Sequence, residues 1–211
     1  MSGWLDGVAT GDDLIVVGPV LDAPLDVARL GSLGLSEAPQ VAVDGGIQYA
    51  VNPILWAGDG DSGVMPKHIP AYFKESQDLT DMRFCLGGLR SGRWRRLHLF
   101  GFLGARRDHE LANFGEIHAE MKHRDHFEAA CLYDGDYRPA LTFLQKGPRR
   151  FTHQGRFSLL AFDEAQITLK GACQYPAEGV LLPPLSGHGI SNIANGEVEL
   201  HASQPLLLIT G

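Results

Sequence analysis

Leu14-Ile-Val-Val17 runs into Gly18-Pro19, and the stretch from Asp22 to Leu33 that follows repeats apolar residues at helical spacing. A short apolar run halted by Gly-Pro reads as a buried strand, and the periodic stretch after it as a helix. Outward from that unit the same punctuation recurs. Val41-Ala-Val43 halts at Asp44-Gly45-Gly46, and Ile54-Leu-Trp-Ala57 halts at Gly58-Asp59-Gly60-Asp61. Leu97-His-Leu-Phe100 stops at Gly101, and Ala129-Ala-Cys-Leu-Tyr133 at Asp134-Gly135. Met82 to Leu89 is expected to be a short helix curtailed by Gly87 and Gly88. From His109 to His123, the spacing of Leu111, Ala112, Phe114, Ile117 and Met121 predicts a longer amphipathic one. Strands alternating with helical stretches predict a mainly parallel sheet covered on both faces. In such sheets ligands bind outside the carboxyl ends of the strands, and the acidic loops fall at those ends.

Beyond Gly147 the texture changes. Phe157 to Phe162, Gln166 to Lys170, Gly196 to His201 and Leu206 to Thr210 are short strand-like runs separated by turns, with no helix-length segment between them. The expected architecture is therefore α/β: a mainly parallel N-terminal α/β domain over 1–147, then a small all-β sandwich domain over 148–211.

With 211 residues, 44% of them hydrophobic and 20% charged, the chain is neither disordered nor collagen-like. Eighteen Lys and Arg against 25 Asp and Glu leave a net charge of -7, which disfavours a nucleic-acid partner. A local basic cluster can still grip a small phosphate ligand, and Arg90, Arg93, Arg95, Arg96, Arg106 and Arg107 are candidates. Cys85, Cys131 and Cys173 offer no disulfide framework and no metal spacing. There is no signal-peptide pattern and no membrane-length apolar run, so a cytoplasmic location is expected.

Three acidic clusters carry the chemistry: Gly58-Asp59-Gly60-Asp61-Ser62, Asp78-Leu79-Thr80-Asp81, and Gly101 to His109 with its Arg106-Arg107-Asp108-His109. Carboxylates two apart in a tight glycine loop can aim at one hard cation, and a second loop can complete its oxygen shell. Mg²⁺ suits such a site, because it takes a few carboxylates together with water and substrate phosphate oxygens. Glycine lets the backbone approach a phosphate, and Arg106 supplies bidentate charge-assisted hydrogen bonds to it. One Asp-Gly pair is ordinary turn chemistry. Three acidic loops at the ends of successive strands argue for a ligand.

In order and spacing these motifs resemble the thiamine pyrophosphokinase family. The resemblance is carried by Asp44-Gly45-Gly46, Gly58 to Ser62, Asp78 to Asp81, and Gly101 to His109 with Leu111-Ala112-Asn113 behind it. It continues in Phe157-Ser158-Leu159-Leu160 and Gly189-Ile190-Ser191-Asn192, so it covers nearly the whole chain. It implies an α/β domain that binds ATP and a β-sandwich that helps bind thiamine, in a homodimer with the substrate near the subunit interface. The implied reaction moves a pyrophosphoryl group from ATP to the thiamine hydroxyl and releases AMP. Asp59, Asp61, Asp81 and Asp108 are then the expected catalytic and Mg²⁺-binding carboxylates. Asp44, Gly45, Gly46, Ser62, Asp78, Thr80, Arg106 and His109 fall on the nucleotide side, and Tyr175, Ser191 and Asn192 on the thiamine side.

The chain departs from the family at three places. Gln77 stands where a lysine commonly precedes Asp-x-Thr-Asp, with Lys74 nearby on a different turn or loop, so one cationic phosphate contact is expected to be lost. Tyr175 replaces an expected tryptophan and still offers a ring to a cationic heterocycle. Ile190 removes a threonine hydroxyl. These departures keep two alternatives open: a pyrophosphokinase for another hydroxymethyl heterocycle such as a pterin, or a non-catalytic nucleotide- or thiamine-binding regulator. His118, His123, Asp125 and His126 match no zinc spacing and read as helix-end residues.

Overall fold

The computed structural model describes Trp4 and residues 11–92, 94–104 and 106–210. Arg93 and most of the N-terminal stretch searched for a signal peptide lie outside those residues. The chain divides into two compact units, Met1–Glu116 with Leu132–Arg138, and Ile117–Cys131 with Pro139–Gly211.

In the first unit β1 (Asp13–Val17), β2 (Gln40–Val43), β3 (Leu55–Gly58), β4 (Ala71–Phe73) and β5 (Arg96–Phe100) pair in parallel, in the order β5-β1-β2-β3-β4. Every residue of β2 and β3 is buried, as their unbroken apolar runs require of strands covered on both faces. The helices are short. α1 spans only Val27–Ser32, started by the Asp26 carboxylate, which accepts from the Ala28 and Arg29 amides. Asp22 to Asp26, read as helix from its spacing, is not helical. α2 covers Asp81–Gly88 and ends at the glycine pair, as expected. α3 runs over Arg107–His123. Its buried stripe is Ile117, His118, Glu120 and Met121, whereas Leu111, assigned to the apolar face, is 66% exposed.

β6 (Ala129–Tyr133) matches its expected bounds. The second unit holds β7 (Pro139–Leu144), β8 (Gly147–Ala161), β9 (Ala165–Cys173), β10 (Ala177–Leu182), β11 (Asn192–Ala202) and β12 (Leu206–Thr210). They pair antiparallel in the order β10-β9-β11-β8-β12-β7. Strict alternation puts Ala194, Val198, Leu200 and Ala202 of β11 into a core with Leu159, Ile167, Leu169 and Leu206.

The expected fold class is corrected by this topology. The described strands form one twelve-stranded mixed sheet with few helices, not a helix-covered parallel α/β domain followed by a separate all-β sandwich. Two physical features account for the difference. Asp44–Gln48, between β2 and β3, makes a 3-10 turn, so no α-helix crosses over between these two parallel strands. The fifteen-residue β8 changes partner along its length, pairing with β11 up to Phe157 and with β12 from Phe157 to Ala161, so the antiparallel strands run on as one sheet. Among the described residues no helix is long and apolar enough to cross a membrane.

Candidate active site

The site is built at the carboxyl ends of β1, β2 and β3. Asp44 follows β2 directly with a φ of 41°, a left-handed conformation that a non-glycine residue adopts only when its surroundings impose it. Two contacts impose it here. The Trp56 indole N–H donates to the Asp44 carbonyl at 2.8 Å, and the Ser62 hydroxyl donates to Asp44 Oδ1 at 3.3 Å. Gly46, two residues on, lies so close to the Val17 carbonyl that a Cβ there would collide with β1. The Asp-Gly-Gly sequence is thus what allows β2 to turn tightly against the end of β1.

After β3, the Asp59 carboxylate accepts from the Asp61 amide at 3.1 Å, and Gly60 has a φ of 80°. This closed turn sends both side chains to the same side. One carboxylate oxygen from each of Asp44, Asp59 and Asp61 lies within 4.8 Å of the others, and no other group of three or more potential metal-binding side chains occurs among the described residues. All the donors are hard oxygens, the set preferred by Mg²⁺.

A lysine enters this cluster from β4. The amide of Lys74 donates to the Gly58 carbonyl at 2.8 Å, and the residue is 8% exposed. Its ammonium lies 3.2 Å from Asp59 Oδ2 and 3.4 Å from Asp81 Oδ1, and it donates to the Leu79 carbonyl at 2.9 Å. Asp81 is the first residue of α2, a helix capped by Thr80, whose hydroxyl accepts from the Arg83 amide and donates to Glu116 Oε2 at 2.5 Å. α2 therefore starts at a fixed place and carries its acid into the cavity.

Charge excess sets the titration of these groups. The neighbouring Asp59 carboxylate, with burial and Asp44 adding to it, raises Asp61 above the usual carboxylate value. Burial raises Asp81 as well, outweighing the pull of Lys74. Asp59 moves down: burial opposes its ionisation, but hydrogen bonds from the Asp61 amide, Lys74 and Gln77 prevail. Lys74 is held up by its carboxylate partners despite the desolvation that works against its charge. A carboxylate raised by like charge is one that a cation would stabilise.

Asp44, Asp59, Asp61, Thr80, Asp81, Arg106 and His109 all line one cavity of about 480 Å³. Lys74 and Gln77 line it too. A cation does enter the cavity, from Lys74 at the end of β4, while Gln77 hydrogen-bonds Asp59. Asp108 is placed elsewhere. Its exposed carboxylate grips Arg106 in two hydrogen bonds, at 3.2 and 2.5 Å, and that contact, with the His109 amide, holds it down to about 2. Asp108 thus orients Arg106, and Asp44 takes the third place in the carboxylate cluster. Ser62 acts through Asp44, Gly45 and Gly46 form the turn, and Asp78 bonds Ser76 in the loop before α2.

Of the arginines considered as a phosphate grip, Arg106 lines this cavity, and Arg90, Arg95, Arg96 and Arg107 do not. Arg96 forms a double hydrogen bond with Asp13 at the amino ends of β5 and β1, at 2.6 and 2.7 Å. Arg95 lies 3.8 Å from Asp12, Arg107 pairs with Glu110, and Arg90 is exposed. His118 is buried against Phe162 and bonds Asp163 at 3.1 Å, while His123, Asp125 and His126 are exposed.

In the second unit, Tyr175, Ile190 and Asn192 line an apolar cavity of about 370 Å³ with Phe157, Leu159 and Val180. The Asn192 amide is spent on the backbone: it donates to the Tyr175 carbonyl at 2.7 Å and accepts from the Tyr175 and Ile193 amides. It clamps Tyr175, a residue 58% exposed. Ser191 has a φ of 61° and its amide donates to the Ser158 hydroxyl.

No family model matches the chain, and no curated protein is found to match it. Solved structures do. The chain is similar to thiamine pyrophosphokinase from Bacillus subtilis, with a TM-score of 0.71 at 19% identity over 93% of this chain and 96% of that one. It is similar to thiamin pyrophosphokinase from Geobacillus thermodenitrificans, with a TM-score of 0.71 at 20% identity over 94% and 97%. The yeast thiamin pyrophosphokinase gives 0.66 at 14% identity over 95% and 86%. The fold is that of the thiamine pyrophosphokinases.

Proposed function

We propose that the chain is a Mg²⁺-dependent thiamine pyrophosphokinase, transferring the β,γ-pyrophosphoryl group of ATP to the thiamine hydroxyl. The observation that carries this reading is the convergence of Asp44, Asp59 and Asp61 within 4.8 Å in the cavity that Lys74, Asp81 and Arg106 line, on a fold shared with thiamine pyrophosphokinases. The acceptor hydroxyl oxygen forms a bond to the β-phosphorus, the bond from that phosphorus to the bridging α,β-oxygen breaks, AMP leaves, and the hydroxyl proton is released. Mg²⁺ held by Asp44, Asp59 and Asp61 would supply neutralisation of the charge on the phosphates. Arg106, held by Asp108, is the bidentate phosphate ligand. Thr80 and Glu116 fix the start of α2 so that Asp81 stays in the cavity. An ionised carboxylate of the cavity accepts the hydroxyl proton.

On the thiamine side the ring of the exposed Tyr175 offers a π-face to a cationic heterocycle, with Asn192 holding its backbone. The exposed apolar side chains Val180, Leu181, Ile190 and Ile193 support a homodimer formed through the second unit. A cytoplasmic location goes with these substrates. The test is direct: purified chain with ATP, Mg²⁺ and thiamine should yield AMP and thiamine diphosphate in equal amounts. AMP release that requires a pterin alcohol instead of thiamine would replace the acceptor, and binding of nucleotide without AMP would make the chain a regulator.

A further inference from the structure

Asp59 belongs to two sets of contacts at once. Its carboxylate is one of the three that converge with Asp44 and Asp61, and it is also the nearest acid to the Lys74 ammonium, at 3.2 Å. A divalent cation and Lys74 therefore draw on the same negative charge. Lys74 has a second acid partner, Asp81 at 3.4 Å, and Asp81 Oδ1 is buried with no hydrogen-bond donor of its own. The backbone of Lys74 is tied to Gly58 at 2.8 Å and its stem is buried, so the ammonium is confined to the cavity while its terminal torsions remain able to rotate. Of the cavity's two permanently cationic side chains among the described residues, Arg106 is exposed and already engaged by Asp108. Lys74 is the buried one.

We propose that Lys74 is a tethered counter-ion that changes partners: it neutralises Asp59 and Asp81 in the empty cavity, yields Asp59 to an incoming divalent cation, and turns its ammonium to the phosphate that arrives with it. An ammonium is a compact point charge with three donors, suited to acids and phosphate oxygens alike, so the exchange requires no movement of the chain. The lysine bridges two carboxylates, Asp59 and Asp81, that would otherwise repel each other, and it gives way once a stronger cation takes its place. The inference rests on the reading that this cavity takes a metal-bound nucleotide, and it adds the residue that keeps the cavity ordered before either arrives.

The test uses binding instead of turnover, so that it stands apart from the test of pyrophosphoryl transfer. Mn²⁺ alone, and Mn²⁺ with a non-hydrolysable ATP analogue, are titrated into the full chain by calorimetry. Lys74→Met should bind Mn²⁺ alone about tenfold more tightly, because a competing cation is gone, and the Mn²⁺–analogue complex about tenfold more weakly, because a phosphate partner is gone. Lys74→Arg should return analogue affinity to within about threefold of the parent chain. Lys74→Gln carries the same two measurements if the methionine variant does not fold. Unchanged or weakened Mn²⁺ binding in an uncharged variant overturns the exchange and leaves Lys74 a purely structural ion pair. Unchanged analogue binding removes the phosphate half. If the parent chain binds neither probe, the cavity is not a metal–nucleotide site, an outcome distinct from failure of the exchange alone.

Discussion

The two ends of the parallel strands in the first unit carry the same kinds of residue and handle charge in opposite ways. At the amino ends, the single carboxylate of Asp13 is met by a double hydrogen bond from Arg96 and by His98 Nε2 at 2.8 Å, and His98 Nδ1 closes the network on the Tyr133 hydroxyl at 2.9 Å. Donors outnumber acids, and every group is used. At the carboxyl ends, Asp44, Asp59, Asp61 and Asp81 line one cavity with a single buried lysine that pairs with Asp59 and Asp81 alone, Asp44 sits at a positive φ, and Asp81 Oδ1 has no hydrogen-bond donor. The first arrangement is complete without a ligand. The second is an excess of negative charge held in place by backbone geometry, which is a stability cost unless something cationic is meant to enter.

The sharpest way to break this comparison is Asp61→Asn. If the carboxyl-end cluster is kept for a ligand, AMP formation should fall about a hundredfold or more, while the metal-free melting temperature stays level or rises because a like charge beside Asp59 is gone. Normal turnover would remove Asp61 from the machinery. The mirror experiment is Asp13→Asn, measured by denaturant unfolding. Its loss leaves Arg96 and His98 without their shared acid and should cost about 1–2 kcal/mol of stability, allowing for partial exposure, with turnover per folded molecule unchanged. A smaller effect is expected in the second unit. Tyr175→Ala should raise the thiamine KM about tenfold with little change in kcat, and Tyr175→Trp should lower the KM below that of the parent chain.

How far the sequence led follows the same physical line. The strand ends were legible because Asp-Gly and Gly-Asp punctuation stops an apolar run unambiguously: β1, β2, β3, β5 and β6 lie within a residue or two of where Leu14, Val41, Ile54, Leu97 and Ala129 announced them. β4 was invisible. Ala71–Phe73 is three residues long, has no buried side chain, and follows proline, so nothing marks it as a strand. Missing it hid the reason Lys74 reaches the acids, because only a strand beside β3 brings residue 74 next to Gly58. Asp108 was grouped with the metal ligands since motif order cannot tell an acid that faces a cavity from one that turns back to Arg106 two residues away. The single mixed sheet was equally out of reach, because strand order is set by pairings between strands far apart in sequence, which no local run of residues announces.

The finest test compares how the two strand ends respond to acid in the absence of metal. Burial lowers His98 below its ordinary 6.5 against the pull of Asp13. Below 6.5 the unfolded chain therefore takes up a proton that the folded chain refuses, and stability at the amino ends falls with pH until the lowered folded value is passed. Asp13, lowered chiefly by Arg96, adds a further loss below 3.8. Asp61 and Asp81 are raised above that same 3.8, so the folded chain binds their protons first, and the carboxyl ends gain stability as pH falls towards 3.8. The melting temperature in EDTA should thus decline on acidification below pH 6.5, then flatten as the cavity acids protonate. His98→Gln, which can still hydrogen-bond Asp13, should remove the early decline and keep the later gain. Asp61→Asn should keep the decline and weaken the flattening. The same curve for both variants would mean that the two ends are not separate charge systems, and the contrast between a finished network and one waiting for a cation would fail.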